Sequence, residues 1–364
     1  SGAAGARFGF LPSLHAVDRS SRGAEYFPLS ICLLLLFTGE RVWLYVAAIL
    51  VLAVGDAFAA LIGGRYGVIH YEVQGGRKTL EGSLVFFIIA FLAILLPTLL
   101  MTDLPRAVCV LAAAPVAILV TFFEAISLRG SDNLFVPLGT AVILDGLTRQ
   151  PLAEIVYQNL SLAGICIGLV ALAWRLPYFN PGSTMALILF TYGTWAVGGW
   201  EWALPAFFGT AVYLASWAAV EPMKKAPPIQ VQTTLRALAT PFVFVALVGG
   251  TGERELLTTP YLAASAAVLA VAAADPLHRL GALKGRRRDA VALGAGAAAL
   301  VIAPVRIASP GLVQASALLG IPALLIPMCW VVLRHECRRH GAPLAEWSAP
   351  RFLLSWAVAV PFLW

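Results

Sequence analysis

The chain has 364 residues, of which 12% are charged and 60% hydrophobic, and its mean hydropathy is +0.85. A soluble domain carries roughly 25% charged residues, so a large soluble catalytic domain is excluded and a polytopic membrane protein is implied. The net charge of +6 then reads as loop charge at a membrane rather than as a nucleic-acid surface.

Apolar runs near the roughly 20 residues that cross a bilayer predict helices, where barrel strands would alternate over about 10. The fold class expected is all-α, a polytopic transmembrane helical bundle of about 12–13 membrane segments. In chain order these are 27–38, 42–62, 83–101, 107–127, 134–147, 157–174, 184–200, 203–220, 237–250, 258–275, 290–304, 311–333 and 351–364. Setting the N-terminus and the loop 63–82 on one side, and alternating from there, gives that side 20 Lys and Arg and the other side 5. The richer side is predicted to be cytoplasmic. The runs KGRRR (Lys284 to Arg288) and RHECRRH (Arg334 to His340) read as topology anchors with affinity for anionic lipid. The 5 cysteines show no CxxC spacing and read as packing thiols. The histidines show no ligand spacing. Composition changes near residue 150, which predicts two domains: 1–150, dense in polar signatures at helix ends, and 151–364, rich in Ala, Leu, Gly and Trp.

Three polar stretches of the first domain carry chemistry. In GDAFAALIGGRYG (Gly55 to Gly67), Asp56 lies inside an apolar helix. A carboxylate at that depth is costly, so it is expected to face a bundle interior with a partner, and functional use is the default reading. Ala59, Ala60, Gly63 and Gly67 follow at spacings that place small residues on or near its face, open to another backbone or a ligand. Packing alone is the alternative. The run GGRKTLEGS (Gly75 to Ser83) opens the next helix. The backbone of Gly75 and Gly76, the cations Arg77 and Lys78, and the hydroxyls of Thr79 and Ser83 could cradle phosphate there. Glu81 among them suggests a divalent ion, since Mg²⁺ uses one or two carboxylates plus phosphate oxygens. The alternative is a basic loop with Thr79 and Glu81 as caps. The third stretch, FFEAISLRGSDNLFVPLG (Phe122 to Gly139), brings Glu124, Asp132 and Asn133. The hairpin of segments 83–101 and 107–127 returns this stretch to the face of loop 63–82, and RSSRGAEYFP (Arg19 to Pro28) is expected there too.

In these motifs the sequence resembles the CTP-dependent polyprenol kinase family, which includes phytol, farnesol and dolichol kinases and the yeast-type diacylglycerol kinase. Asp56 with Ala60, Gly63 and Gly67, then Lys78-Thr79-Leu80-Glu81-Gly82-Ser83, then Asp132-Asn133-Leu134-Phe135-Val136-Pro137 match the family pattern in order and spacing, with Arg19, Gly23, Glu25 and Pro28 ahead of them. The likeness covers about residues 15–147. Phosphatidate cytidylyltransferases are more distantly similar. The resemblance implies transfer of the γ-phosphoryl group of CTP to a long isoprenoid alcohol such as phytol, with Mg²⁺ as cofactor, at a cytoplasmic membrane face. It assigns catalysis to Asp56, Lys78 and Asp132, and metal binding to Asp56, Glu81 and Asp132. Nucleotide binding goes to Gly63, Gly67, Gly75, Gly76, Arg77, Thr79, Gly82, Ser83 and Asn133. Residues 180–208 and 229–241 are weakly similar to the membrane family of phytyl-phosphate kinases. Where that family carries an ADTWATE-type motif this chain reads AADPLHRLG, with Asp275 followed by Pro276, which implies a degenerate or regulatory second domain. Two rival functions are a cytidylyltransferase making a CDP-lipid, and a transporter or scaffold with Asp56 and Glu124 as a translocation pair. A transporter predicts recurring carboxylates in two halves, and the second half offers only Asp275 near a helix end.

Overall fold

The structure, a computed structural model, describes residues 23–73, 76–127, 130–176, 179–220, 231–279, 287–309, 311, 313, 315–340 and 349–362. Arg19, Gly75 and the side chains of Asp275 and Cys337 lie outside the described residues. The other four cysteines are free thiols.

Among the described residues the fold is helices and connecting turns apart from one short two-stranded sheet. The helices are α1 (Gly23–Thr38), α2 (Val42–Leu50), α3 (Asp56–Tyr66), α4 (Leu80–Met101), α5 (Arg106–Ile126), α6 (Asp132–Thr148) and α7 (Leu152–Arg175). They continue as α8 (Pro181–Gly198), α9 (Trp200–Val220), α10 (Val231–Thr251), α11 (Arg254–Arg279), α12 (Arg287–Ala308), α13 (Ala315–His340) and α14 (Ala349–Ala359). A π turn, Val51–Gly55, joins α2 and α3 into one rod. Each membrane segment expected from the sequence falls for the most part on a helix among the described residues. Among the described residues, 7 helices are long and apolar enough to cross a membrane, and Gly23–Thr38 and Ala317–Val332 are shorter apolar helices. The chain is a multi-pass membrane protein.

Residues 70–73 and 76–79, read as loop from the sequence, form instead the paired strands β1 (His70–Val73) and β2 (Gly76–Thr79). The reason is a period of two: Tyr71 and Val73 are both buried, on the same side of a strand.

Two compact units are present. One comprises residues 1–69 and 79–150, the other residues 70–78 and 151–364. In the first, Leu34, Leu44, Phe86 and Ile94 fill the spaces between helices whose contact surfaces are largely alanine, including Ala47, Ala90, Ala112 and Ala117. Between lipid-embedded helices the apolar effect is weak, so small residues that let backbones approach supply the packing energy. Hydroxyls within these helices bond the carbonyl one turn back, as Thr98 does with Ile94 (2.6 Å) and Thr140 with Val136 (2.7 Å), which satisfies them without water. In the second unit α11 is central, with 78% of its apolar window buried, and α7 is peripheral, with 17%. Trp202 of α9 stacks on Tyr261 of α11 at 4.2 Å between ring centroids. Tyr261 also donates its hydroxyl to the Trp202 carbonyl (2.6 Å), and the Trp202 indole N–H donates to Thr258 (3.1 Å). β1 belongs to this unit, where Val73 borders Gly182 at the start of α8.

Candidate active site in the first unit

α1 and α6 run parallel, because they are tied at both ends. At one end the Asn133 side-chain amide donates to the Gly23 carbonyl (3.2 Å); at the other, Arg41 pairs with Asp145 at the far end of α6. α3 and α4 run antiparallel, since Gly55 meets Phe86 while Gly63 meets Gly82. The starts of α1, α4 and α6 and the end of α3 therefore lie at the same end of the unit. Glu25, Glu81 and Asp132 each occupy the first turn of one of these helices, where the helix dipole favours negative charge. The convergence of the Gly23–Pro28 piece with the Asp132–Pro137 motif, expected from the sequence, is built by the Asn133 bond.

The glycines of α3 and α4 serve close approach. A Cβ on Gly63 would stand 2.7 Å from Thr79 Oγ1 and 3.3 Å from Gly82 Cα; one on Gly67 would stand 2.4 Å from Thr79 Cγ2; one on Gly82 would stand 3.0 Å from the Ala59 carbonyl. Gly63, Gly67 and Gly82 thus leave no open space at their own Cα atoms. They enclose Thr79, which caps α4 by accepting from the Gly82 N–H (3.2 Å). Ser83, in the next position, is buried.

Asp56 corrects one expectation. It is exposed rather than enclosed by the bundle. The packed stripe of this helix is Gly55, Ala59 and Gly63, at four-residue spacing, and the first and last face α4 directly. Asp56 is one residue on from Gly55, and Gly63, seven residues further, comes back to within about 20° of its direction on a helix of 3.6 residues per turn; its exposure therefore reflects where the cover of α4 ends and not a different face. The π turn ends immediately before it, with its backbone against both α4 and α6. Such one-turn π segments often mark functional positions, and nothing in the residue pattern announced this one.

Glu81 accepts from the Ile69 N–H through both carboxylate oxygens, at 3.1 and 3.3 Å, and the Leu80 N–H donates to the Ile69 carbonyl (2.9 Å). The base of the chain excursion between α3 and α4 is therefore clamped at the mouth of this unit. Arg77 and Lys78, which precede Thr79 in the chain on β2, belong to the second unit; Arg77 is exposed and Lys78 half-buried. Glu124 is buried near the end of α5.

Asp132 has one carboxylate oxygen, Oδ1, fully buried with no hydrogen-bond partner. A buried carboxylate oxygen in that state costs free energy, and a cation or a donor from a ligand would relieve it. Among the described residues no three His, Cys, Asp or Glu side chains are grouped so as to hold a metal ion. Asp56, Glu81 and Asp132 are consequently not assembled into one three-carboxylate centre. The donor set fits a divalent ion held by one or two carboxylates and completed by phosphate oxygens and water, as Mg²⁺ commonly is.

No family model matches the chain, and no solved structure matches it. Over 139 residues it is 40% identical to phytol kinase from Synechocystis sp.. That stretch is 38% of this chain and 59% of the relative, so the chain spans somewhat under two thirds of the length of the protein it matches.

Proposed function

We propose that the first unit is a lipid-alcohol kinase, transferring the γ-phosphoryl group of CTP to the hydroxyl of a long isoprenoid alcohol at the cytoplasmic face of the membrane. The 40% identity to a phytol kinase carries this reading. The tie of Asn133 to the start of α1 and the unpartnered buried oxygen of Asp132 beside it support it.

Phosphoryl transfer requires positioning and charge neutralisation more than covalent chemistry. A divalent cation at Asp132 would offset charge on the transferred group. In this reading Asp132 holds its buried oxygen ready for that cation. Asp56 orients the attacking hydroxyl or shares the metal. As the new O–P bond forms and the bond from the γ-phosphorus to its bridging oxygen breaks, CDP departs and a carboxylate takes the hydroxyl proton. By the sequence motif alone, Arg77 and Lys78 and the Gly75 and Gly76 backbone are assigned to phosphate oxygens; within the first unit, Ser83 and Asn133 are the further donors. Thr79 and the glycines around it fix the start of α4, and Glu81 fixes the chain at Ile69. The isoprenoid tail stays in the bilayer, which accounts for a kinase built on transmembrane helices.

The test incubates purified protein with each nucleoside triphosphate and a panel of alcohols: phytol, geranylgeraniol, a longer polyprenol and diacylglycerol. Label from γ-labelled CTP is expected in a lipid monophosphate. Label from α-labelled CTP in the lipid would instead reveal a cytidylyltransferase, and no lipid product with any triphosphate would overturn the enzymatic reading.

A further inference from the structure

From Leu257 to Ala274 every residue of α11 is buried in the second unit except Ser265, Val268 and Ala272, which are half-buried. Spaced three and four apart, these share one face of the helix, and all three line a cavity of ≈ 130 Å³. The central helix is thus sealed except where it fronts this space. α9 and α10 each pack on both α8 and α11, and the cavity lies among these four helices, with Arg351 of α14 at its border.

The wall combines hydroxyls with apolar surface. Thr210, Tyr213, Thr233, Thr234 and Ser265 line it. Tyr213 and Thr234 already interact within the protein, and Ser265 is hydrogen-bonded to Tyr261. Among the described residues Arg351 is the only charged side chain of the wall; it is 3% exposed and likewise already interacts within the protein.

The course of the helices gives the cavity a direction. Glu201 pairs with Arg254 (2.8 Å), so α9 and α11 start together, and α10 ends at that same level through the tight turn at Gly252. Counted from there, Pro205 and Pro241 come first, an apolar end. Thr210 and Tyr213 lie further along α9, and Thr233 stands eight residues beyond Pro241 on α10, about 12 Å on a helix. Four of the five hydroxyls therefore gather at the far end.

We infer that this cavity binds the head and first carbons of a single-chain lipid alcohol. The ligand hydroxyl meets Thr210 and Thr233, and the chain runs over Val268 toward Pro205 and Pro241. An alcohol both donates and accepts, as threonine does, and a threonine that bonds its own helix one turn back keeps a lone pair for a second partner. A neutral head also leaves Arg351 in its present interaction, whereas an anionic head would have to draw it away or lie unpaired in an apolar space, which is costly. A cavity of about 150 Å³ accommodates benzene, so ≈ 130 Å³ takes one chain and not two side by side. The inference uses no residue of the first unit and does not depend on the kinase reading.

The test uses the full chain in lipid nanodiscs and hexadecanol carrying a photoactivatable diazirine near its hydroxyl, with the adducts mapped by mass spectrometry. Adducts are expected within residues 205–213, 233–241 or 265–272, and unlabelled hexadecanol should compete for them at least tenfold better than hexadecane, hexadecanoate or hexadecyl phosphate. Thr210→Val combined with Thr233→Val nearly preserves volume and should erase the advantage of the alcohol over hexadecane. Gly209→Leu should remove labelling of these stretches while sparing any in the first unit. Gly209 lines the cavity and a Cβ there meets nothing within 4 Å, so the added side chain can enter the space without displacing backbone. Adducts confined to other stretches, equal competition by hexadecane or an anion in the unaltered protein, or an undiminished preference for the alcohol in the folded double-valine variant would each overturn the inference.

Discussion

Gly63 and Thr79 are within a methyl group's width of each other: a Cβ on Gly63 would lie 2.7 Å from Thr79 Oγ1. The neighbour in the other direction is backbone, Gly82 Cα at 3.3 Å, so turning the Thr79 side chain away would relieve only part of the crowding and would break its cap on the Gly82 N–H. Gly63→Ala is expected to destabilise the first unit by about 1–3 kcal/mol, as overpacking does, and to lower turnover through the displaced cap. Gly64→Ala is the control. A Cβ there meets nothing, and alanine is the better helix former by about 1 kcal/mol. Thermal unfolding of both variants in detergent checks the pair; equal effects would show that the close approach is not what requires glycine.

Glu81 bonds the Ile69 N–H with both oxygens. Glu81→Gln keeps one acceptor for that bond while removing the charge. Stability is expected to change by less than about 0.5 kcal/mol, since the lost term is a partly exposed one, while phosphoryl transfer falls at least tenfold if the carboxylate also faces the metal or phosphate. Unchanged turnover would restrict Glu81 to clamping the chain.

Asp132 carries a buried oxygen without a partner, so its charge is a cost to the folded state. Asp132→Asn should leave stability unchanged or slightly raised and should reduce phosphoryl transfer by at least a hundredfold, the combination expected of a group kept for function rather than for folding. Paired melting and turnover measurements decide it. A variant that loses stability and keeps turnover would reverse the assignment.

Arg41 pairs with Asp145, which also holds Arg149. Asp145 is thirteen residues along α6 from Asp132, about 20 Å on a helix. Arg41→Ala should therefore cost about 1 kcal/mol or less, as partly exposed pairs do, reduced further by salt, and leave turnover untouched. A large loss of turnover would mean that the tie between α1 and α6 at this end also sets the geometry at Asp132.

The motif positions single out segments of the first half of the chain but not the contacts each residue makes. Gly63, Gly67 and Gly82 match a pattern suggestive of a ligand cradle, yet each is occupied by Thr79 or by helix backbone. A one-dimensional pattern records that a Cβ is excluded and not what excludes it. Asp56 is expected in the interior because a charge in an apolar run usually faces a bundle; the structure leaves it exposed although Gly63 of the packed stripe lies within about 20° of its direction, because how far a neighbouring helix covers a face is not written in the periodicity of that face.

The sequence by itself determined that this is a bundle of membrane helices and where each one lies, because a bilayer demands roughly 20 apolar residues per crossing and a hydrogen-bonded backbone throughout. Those demands are local and can be read one segment at a time. Only the tertiary structure decided that Asn133 reaches Gly23, that Glu81 closes on Ile69, that one oxygen of Asp132 is sealed without a donor, and that Arg351 is buried. Each of these joins residues far apart in the chain or depends on which way a helix is turned, and between helices of similar composition that is settled by how small residues let backbones meet.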